Sequence, residues 1–414
     1  MEARTPTRFN VHVGNEPEGG ATGFDPLDIE PVYQPIVDLR DDSVVGYEAL
    51  ARGRASGGAA GASPEALFAA AREQGRVGEL DRACREAALE GADAAGLGAP
   101  FALFVNADAG ALEDDVPGTP HAGYTLVMEV TERALTERPE PLLRALTELR
   151  RAGWGVALDD VGGDSRSLAL MPVLYPDVIK LDLRLLRDRA EADVARIVTA
   201  VGAEAEQRLA TVLAEGIDSP EQLATARAAG ATLGQGYLLG EPAPLPAELP
   251  PPGRPLRLTS SGGAPDNVVP FQRVTNWKRP AHGPGELAER TAAMLSSQAS
   301  ALGATGLLLA AAPGDDAVPD TQLERYRALA QRIGFVGVLG GRAADGDGIR
   351  GGQLAAGDPL RGTWTEVALG PGYGACFVAR CGEDGEWAFA TSYDRETVVE
   401  CAVVLMARMP SLAA

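Results

Sequence analysis

Lysine is almost missing from this chain. Only Lys180 and Lys278 occur, and arginine supplies nearly all the positive charge. Arginine therefore serves wherever a surface cation is enough, and a lysine inside a strand-like segment marks a place where the compact, titratable ammonium matters. Positive charge as a whole is short. The formal net charge is −21 over 414 residues, which argues against coating of nucleic acid, because phosphate binding needs basic patches. It leaves open a small phosphorylated ligand held through metal ions. Aromatic residues are 5% of the chain, so alanine, valine and leucine must fill the cores. No apolar run reaches the roughly 18–20 residues of a membrane span, and the N-terminus lacks the apolar centre of a signal peptide. Cys84, Cys376, Cys381 and Cys401 show no close metal-ligand spacing. Buried free thiols in a cytoplasmic protein are the expectation.

What is present is a change of pattern along the chain. Residues 1–28 mix Pro, Gly, Asn and charge without periodicity and read as a mobile arm. From Pro31 onward, apolar runs alternate with helix-like stretches. Strands are expected at Val32–Leu39, Val44–Ala51, Phe101–Val105, Tyr124–Val130, Trp154–Leu158, Val178–Leu181, Ala210–Ala214 and Ala231–Gly234. The short turn Arg40-Asp41-Asp42-Ser43 makes the first two an antiparallel hairpin. The later strands are separated by helical stretches, which argues for a parallel sheet. Eight such strands within residues 29–245 predict a closed TIM-like (β/α)8 barrel with one antiparallel strand. An open doubly wound sheet is the alternative, weakened because no glycine-rich nucleotide fingerprint follows the first strand. Residues 246–284, rich in Pro, Gly and Ser, read as a linker. Residues 285–414 carry an α+β pattern of the size of a sensor domain.

Polar residues recur at the C-terminal ends of the expected strands, which a barrel gathers at one mouth. Glu48, Asn106, Glu129, Asp159, Asp160, Lys180, Asp182, Glu215 and Gln235 all fall there, and Glu132 follows three residues after Glu129. The adjacent Asp159 and Asp160 repel each other unless water or a cation lies between them. The oxygen-only set Glu48, Asn106, Glu129, Asp159 and Asp160 suits a hard cation such as Mg²⁺ or Mn²⁺ rather than zinc. It exceeds what one Mg²⁺ ordinarily takes from protein, so two ions are expected. Lys180 has two readings, an ion pair with Asp182 or a place beside the reacting water. Arg52, just beyond Glu48, reads as a phosphate contact or a surface ion pair.

These residues also resemble a named family. Tyr33-Gln-Pro-Ile-Val-Asp-Leu and Gly46-Tyr-Glu48-Ala-Leu-Ala-Arg52 are similar to the opening of the EAL domain, the cyclic-di-GMP phosphodiesterase module. Its later motifs are resembled in order by Phe104-Val-Asn106, Met128-Glu129-Val-Thr-Glu132, Leu158-Asp159-Asp160, Val178-Ile-Lys180-Leu-Asp182, Ala214-Glu215-Gly-Ile-Asp218 and Gly234-Gln235-Gly-Tyr-Leu-Leu-Gly240. The resemblance implies a cytoplasmic hydrolase of signal transduction that converts cyclic-di-GMP to linear pGpG with two Mg²⁺ or Mn²⁺. It implies metal binding by Glu48, Asn106, Glu129, Asp159 and Asp160. Lys180 would hold the catalytic water and Glu215 would be the base. Gln34, Arg52 and Gln235 would contact the ligand, with Glu132, Asp182 and Asp218 in support. A homodimer through the barrel is also implied.

Two departures from the family pattern bear on activity. The family usually follows its two aspartates with Phe-Gly-Thr-Gly-Tyr-Ser-Ser, and this chain has Val161-Gly162-Gly163-Asp164-Ser165-Arg166-Ser167. That loop is linked in the family to dimerisation and metal-site integrity, so a non-hydrolytic receptor or interaction module is the alternative function. Asp218 stands where the family usually has the longer glutamate. Residues 285–410 resemble the DICT sensory domain, on Arg332-Ile-Gly-Phe-Val-Gly-Val-Leu-Gly, Gly362-Thr-Trp-Thr-Glu-Val-Ala-Leu-Gly-Pro and Thr391-Ser-Tyr-Asp-Arg-Glu. Its ligand or partner is unknown. The alternative reading makes Trp364, Trp387 and Tyr393 core aromatics.

Overall fold

The computed structural model describes residues 28–54, 61–118, 123–163, 167–187, 189–259, 268–312, 318–340 and 346–412. Eight strands close into a barrel: β1 (Ile29–Asp38), β2 (Val44–Gly53), β3 (Ala102–Asn106), β4 (Thr125–Thr131), β5 (Gly155–Val161), β6 (Val178–Asp182), β7 (Thr211–Glu215) and β8 (Leu233–Gly234). β1 runs antiparallel to both neighbours, β2 and β8, and the other pairs are parallel. This is the barrel the alternation of apolar runs predicts, and the doubly wound alternative is excluded by closure. Helices α1 (Pro64–Glu73), α2 (Val77–Ala94), α3 (Ala109–Asp114), α4 (Glu132–Glu137), α5 (Pro139–Ala152), α6 (Met171–Leu174), α7 (Leu183–Arg187), α8 (Glu191–Arg208) and α9 (Pro220–Ala228) connect the strands. A 3₁₀ turn, Ser167–Leu170, precedes α6.

Local sequence fixes the connections. α5 stops at Gly153, whose φ of 96° is open to glycine at no steric cost. α9 starts at Ser219, whose side chain accepts from the Gln222 amide. Inward-facing residues Ile36, Val45, Phe104, Val127, Val178, Leu213 and Leu233 fill the barrel. From outside the strands, Leu256 joins the same cluster. It sits on a strap that crosses the barrel's N-terminal end, held by Gly253 N–H donating to Val44 O and Thr259 N–H donating to Asp177 Oδ1. Replacing Leu256 by alanine is expected to cost about 2 kcal/mol, the lower end for a buried leucine. The urea midpoint of the full chain is the measurement.

Downstream lies a seven-stranded sheet built from β9 (Ala281–Gly283), β10 (Leu307–Ala311), β11 (Phe335–Leu339), β12 (Ile349–Gly352), β13 (Trp364–Gly370), β14 (Tyr373–Cys381) and β15 (Trp387–Ser392). Its order is β12-β11-β10-β13-β14-β15-β9. α10 (Pro270–Thr275), α11 (Gly285–Ser300), α12 (Asp320–Ala330) and α13 (Arg395–Met406) complete it. α11 and α12 cover one face, while α13 packs on the other with β10, β13 and β14. Trp364 is buried and meets Phe377 and Trp387 edge-on, as the core-aromatic reading expects. Tyr393 is exposed and outside that reading. The buried Glu366 carboxylate accepts from Ser296, Arg325, Tyr326 and Trp364, a satisfied internal network.

Two expectations change. α10 and β9 lie within the stretch whose composition reads as linker, and β9 pairs with β15. We therefore propose that the second domain begins near residue 268. Among the cysteines, Cys376 and Cys401 are buried and free, Cys84 is half-buried with its thiol pushed up to about 11 by burial, and Cys381 is exposed. Cys381 ends β14 two residues beyond Ala379, the last residue paired to β13 at this end, and keeps only its pairing to Trp387 of β15. The expected arm at residues 1–28 lies, save for Asp28, outside the described residues.

Candidate active site

Strand register brings the strand-end residues together. Glu48 faces Gln34 across the β1–β2 pair, Asn106 pairs with Glu129, Thr131 with Asp159, and Asp182 with Glu215. Register slips between Leu158 and Val161, so Asp159 and Asp160 form a bulge on β5. Asp160 takes a φ of 58°, in the left-handed region that a non-glycine residue adopts at some cost. The bulge turns the two carboxylates apart. Asp159 enters the mouth, and Asp160 stays on the exposed rim.

Lys180 is the centre of the cluster. It is 1% exposed, and its Nζ lies 2.6 Å from Glu129 Oε1, 2.8 Å from Glu215 Oε1, 3.1 Å from Asp159 Oδ1 and 3.5 Å from Glu48 Oε1. Burial opposes the charged ammonium, but Asp159, Glu129, Glu215 and Glu48 outweigh it and hold its pKa well above the usual lysine value. The Lys180–Asp182 ion pair is not found. Asp182 instead accepts from the backbone N–H, Nε and Nη2 of Arg184, the last at 2.9 Å. The sequence signal for this is the Asp-Leu-Arg spacing, since a carboxylate caps its own i+2 amide readily.

The carboxylates are not all shifted in one direction. Burial raises Glu215 to about 8, with Asp159 and Glu48 adding to it against the pull of Lys180. Burial likewise lifts Glu129 well above the usual carboxylate range, reinforced by Glu48, Asp159 and Glu215. Glu48 is also buried, but Lys180 and hydrogen bonds from Gln235 and Asn106 bring it below the usual value. Gln235 Nε2 donates to Glu48 Oε2 at 2.6 Å and to Gln34 Oε1 at 2.9 Å, and Asn106 Nδ2 donates to Glu48 Oε1 at 3.1 Å. Gln34 Nε2 in turn donates to Gly240 O at 3.0 Å. This chain joins the seam where β1 meets β8. The turn after it needs Gly236, where a Cβ would stand 2.3 Å from the Ile217 backbone.

Three expected residues stand apart. Arg52 lies four residues beyond Glu48 on the same strand face, roughly 13 Å along β2, and donates to Ala51 O. Asp218 is exposed and accepts from the Tyr237 N–H at 3.0 Å, so it holds the turn after Gln235 rather than the cluster. Glu132 opens α4, but its side chain lies outside the described residues, as do Asp164, Ser165 and Arg166. A recess of about 420 Å³ opens beside Glu48 and Asn106 between β2 and helices α1 and α2. Phe68 and Arg72, one helical turn apart on α1, line it. Their i, i+4 spacing beside the mouth is a signal that sequence reasoning missed.

The donor chemistry fits a hard divalent cation. Four carboxylates around one ammonium leave an excess of negative charge in a buried place. Glu129 Oε1 meets only the Lys180 ammonium, and its Oε2 has no hydrogen-bond partner. As they stand, no three acidic, histidine or cysteine side chains among the described residues are grouped to hold a metal ion. The Lys180 ammonium fills the space between them.

The EAL domain pattern matches residues 25–242, just over half of the chain. The chain belongs to the EAL domain family. Among relatives, this EAL protein is 34% identical over 235 residues to the cyclic di-GMP phosphodiesterase NbdA of Pseudomonas aeruginosa, covering 53% of this chain and 29% of that protein. It is 29% identical over 227 residues to the probable cyclic di-GMP phosphodiesterase PdeG of Escherichia coli, covering 52% and 45%. The match thus spans less than half the length of these relatives. Among solved structures, the manganese/cy-diGMP complex of Klebsiella pneumoniae BlrP1 at pH 9.0 aligns with 28% identity and a TM-score of 0.46, over 52% of this chain and 56% of that one. Among the described residues no helix is long and apolar enough to cross a membrane.

Proposed function

We propose that this EAL protein is a cytoplasmic, metal-dependent phosphodiesterase that hydrolyses cyclic-di-GMP to linear pGpG, with its second domain in a sensory role. The observation that carries the reading is the Lys180-centred set of Glu48, Glu129, Asp159 and Glu215 at the barrel mouth of an EAL domain. The names of the two relatives supply the substrate class.

In this reading Glu48, Asn106, Glu129, Asp159 and Asp160 hold two Mg²⁺ or Mn²⁺. When bound, such ions make a water more acidic and stabilise charge at phosphorus. Asn106 and Gln235 orient Glu48 by donating to its two oxygens. Lys180 positions the attacking water, and Glu215, 2.8 Å from the ammonium, accepts its proton. Asp182 and Asp218 keep the β6 and β8 loops in place through Arg184 and Tyr237. Gln34 and Arg52 bind ligand. A barrel homodimer and DICT-like sensing by the second domain belong to the same proposal.

The test is direct. Purified full chain is incubated with cyclic-di-GMP and Mn²⁺, and pGpG is followed by chromatography. Product that disappears with EDTA is the expected result. A second reading, a non-hydrolytic receptor, is favoured by the ammonium standing where the carboxylates would have to converge on an ion. Binding of cyclic-di-GMP without product would select it.

A further inference from the structure

Two segments leave the strands that carry Glu129 and Asp159, and both emerge on one side of the barrel. α4 follows Thr131, and the turn Ser167–Leu170 follows the β5 bulge. The two segments touch each other. The second domain grips both. Arg350, on β12, donates to the backbone carbonyls of Thr136 and Glu137 at the C-terminal end of α4. The Leu412 N–H donates to Glu137 O at 2.8 Å. These carbonyls are of the kind a helix end leaves without a partner. β11 lies against the 167–170 turn, and α13 lies against α6. Leu168, Met171 and Leu174 are buried in one continuous apolar cluster with Leu339, Val403 and Met406. A further tie runs from Arg395, at the start of α13, to Glu204 on α8 at 2.8 Å, where Glu204 is 2% exposed.

We propose that the second domain is a positioning element of the site, acting through Arg350 and α13. It fixes where the segments after β4 and β5 sit, and so the spacing of Glu129 from Asp159 and Asp160. Arg350 is a positioning residue in this scheme. A close-packed contact of this kind transmits displacement instead of absorbing it. Glu137 lies only eight positions after Glu129, and Leu168 nine positions after Asp159. The metal part of the inference rests on the function proposed above; the grip itself does not.

The experiment uses the full chain as Arg350→Ala, with Arg350→Lys as the conservative variant and Lys278→Ala as a control in the second domain. Hydrogen exchange is read in peptides covering 131–137 and 158–174, and Mn²⁺ binding is read directly from the free-ion paramagnetic resonance signal. Arg350→Ala is expected to speed exchange in both peptides about tenfold or more, the signature of local opening. It should weaken Mn²⁺ binding roughly 10–100-fold, the scale for losing an outer support of a metal ligand. Arg350→Lys should fall between, and Lys278→Ala should match the unaltered chain. Unchanged exchange in 158–174 overturns the proposal. So does faster exchange with unchanged Mn²⁺ affinity. If the unaltered chain binds no Mn²⁺, the metal reading fails, and exchange alone decides whether the grip exists.

Discussion

Glu48→Ala is expected to lower cyclic-di-GMP turnover by at least about 10²–10³-fold, the scale of withdrawing one charge-stabilising group from a transition state. The barrel should stay folded. Glu48 accepts from Asn106 and Gln235 and pairs with Lys180 at 3.5 Å. Truncation removes the acceptor of Asn106, which is exposed and can turn to water, and one of the two acceptors of the buried Gln235 amide, which keeps Gln34 Oε1, so the cost lies near the low end of about 1–3 kcal/mol. It also removes one of four carboxylates that crowd each other, which offsets part of that cost. The net change in the urea midpoint should therefore be small, while activity collapses. Product formation, ligand affinity and unfolding are measured on the same preparation. Undiminished turnover would remove Glu48 from the machinery. Retained affinity for cyclic-di-GMP with lost turnover would place its role in chemistry rather than in holding the ligand.

Much of this site is legible in the sequence because position on a strand is a coarse property. An acid that follows an apolar run marks the strand's C-terminal end, and a barrel gathers the C-terminal ends of its parallel strands at one face. Which acid pairs with which cation is a finer property. Lys180 and Asp182 are two apart on β6 and share a face, yet Lys180 reaches across the barrel and Asp182 turns to Arg184. Spacing alone does not separate these outcomes, because each depends on where β2, β4 and β7 place their own carboxylates. The Asp159–Asp160 bulge is similarly hidden, since nothing in the pair announces the left-handed backbone at Asp160.

The same limit explains the segments that composition misreads. The strap around Leu256 is rich in Pro and carries no period, but one leucine under an open barrel end is enough to order it. β12 reads Ile349-Arg-Gly-Gly, too short and glycine-rich to look like a strand, and it is held by parallel pairing to β11. Arg350 on that strand looks like any surface arginine in a chain that uses arginine for nearly every cation. Its contacts with Thr136 and Glu137 span more than 200 positions of sequence, and no local pattern reports them.

Lys180→Met should have the largest effect on stability. The variant leaves Glu48, Glu129, Asp159 and Glu215 in a buried mouth without their shared ammonium. Removing one member of a buried ion cluster costs about 3–5 kcal/mol. The sign with pH follows from the shifts. Lys180 is held well above the ordinary lysine value, so its stabilisation is complete below about 10.5 and is lost only as pH rises through the folded value. At pH 7 the unaltered chain has all of it, and the variant has none. Glu215 is raised to about 8. Its protonated form favours the folded state below the ordinary carboxylate pKa, and that contribution is lost as pH rises from about 4.5 through 8. Without Lys180 opposing the rise, the loss should be steeper. Metal-free Lys180→Met is therefore expected to be markedly more stable at pH 5 than at pH 8, as read from urea midpoints in EDTA. Mn²⁺ should narrow that gap by replacing the missing positive charge. A variant as stable as the unaltered chain at pH 8 in EDTA would show that the four carboxylates tolerate one another without a cation, and the electrostatic case for a metal at this mouth would fail with it.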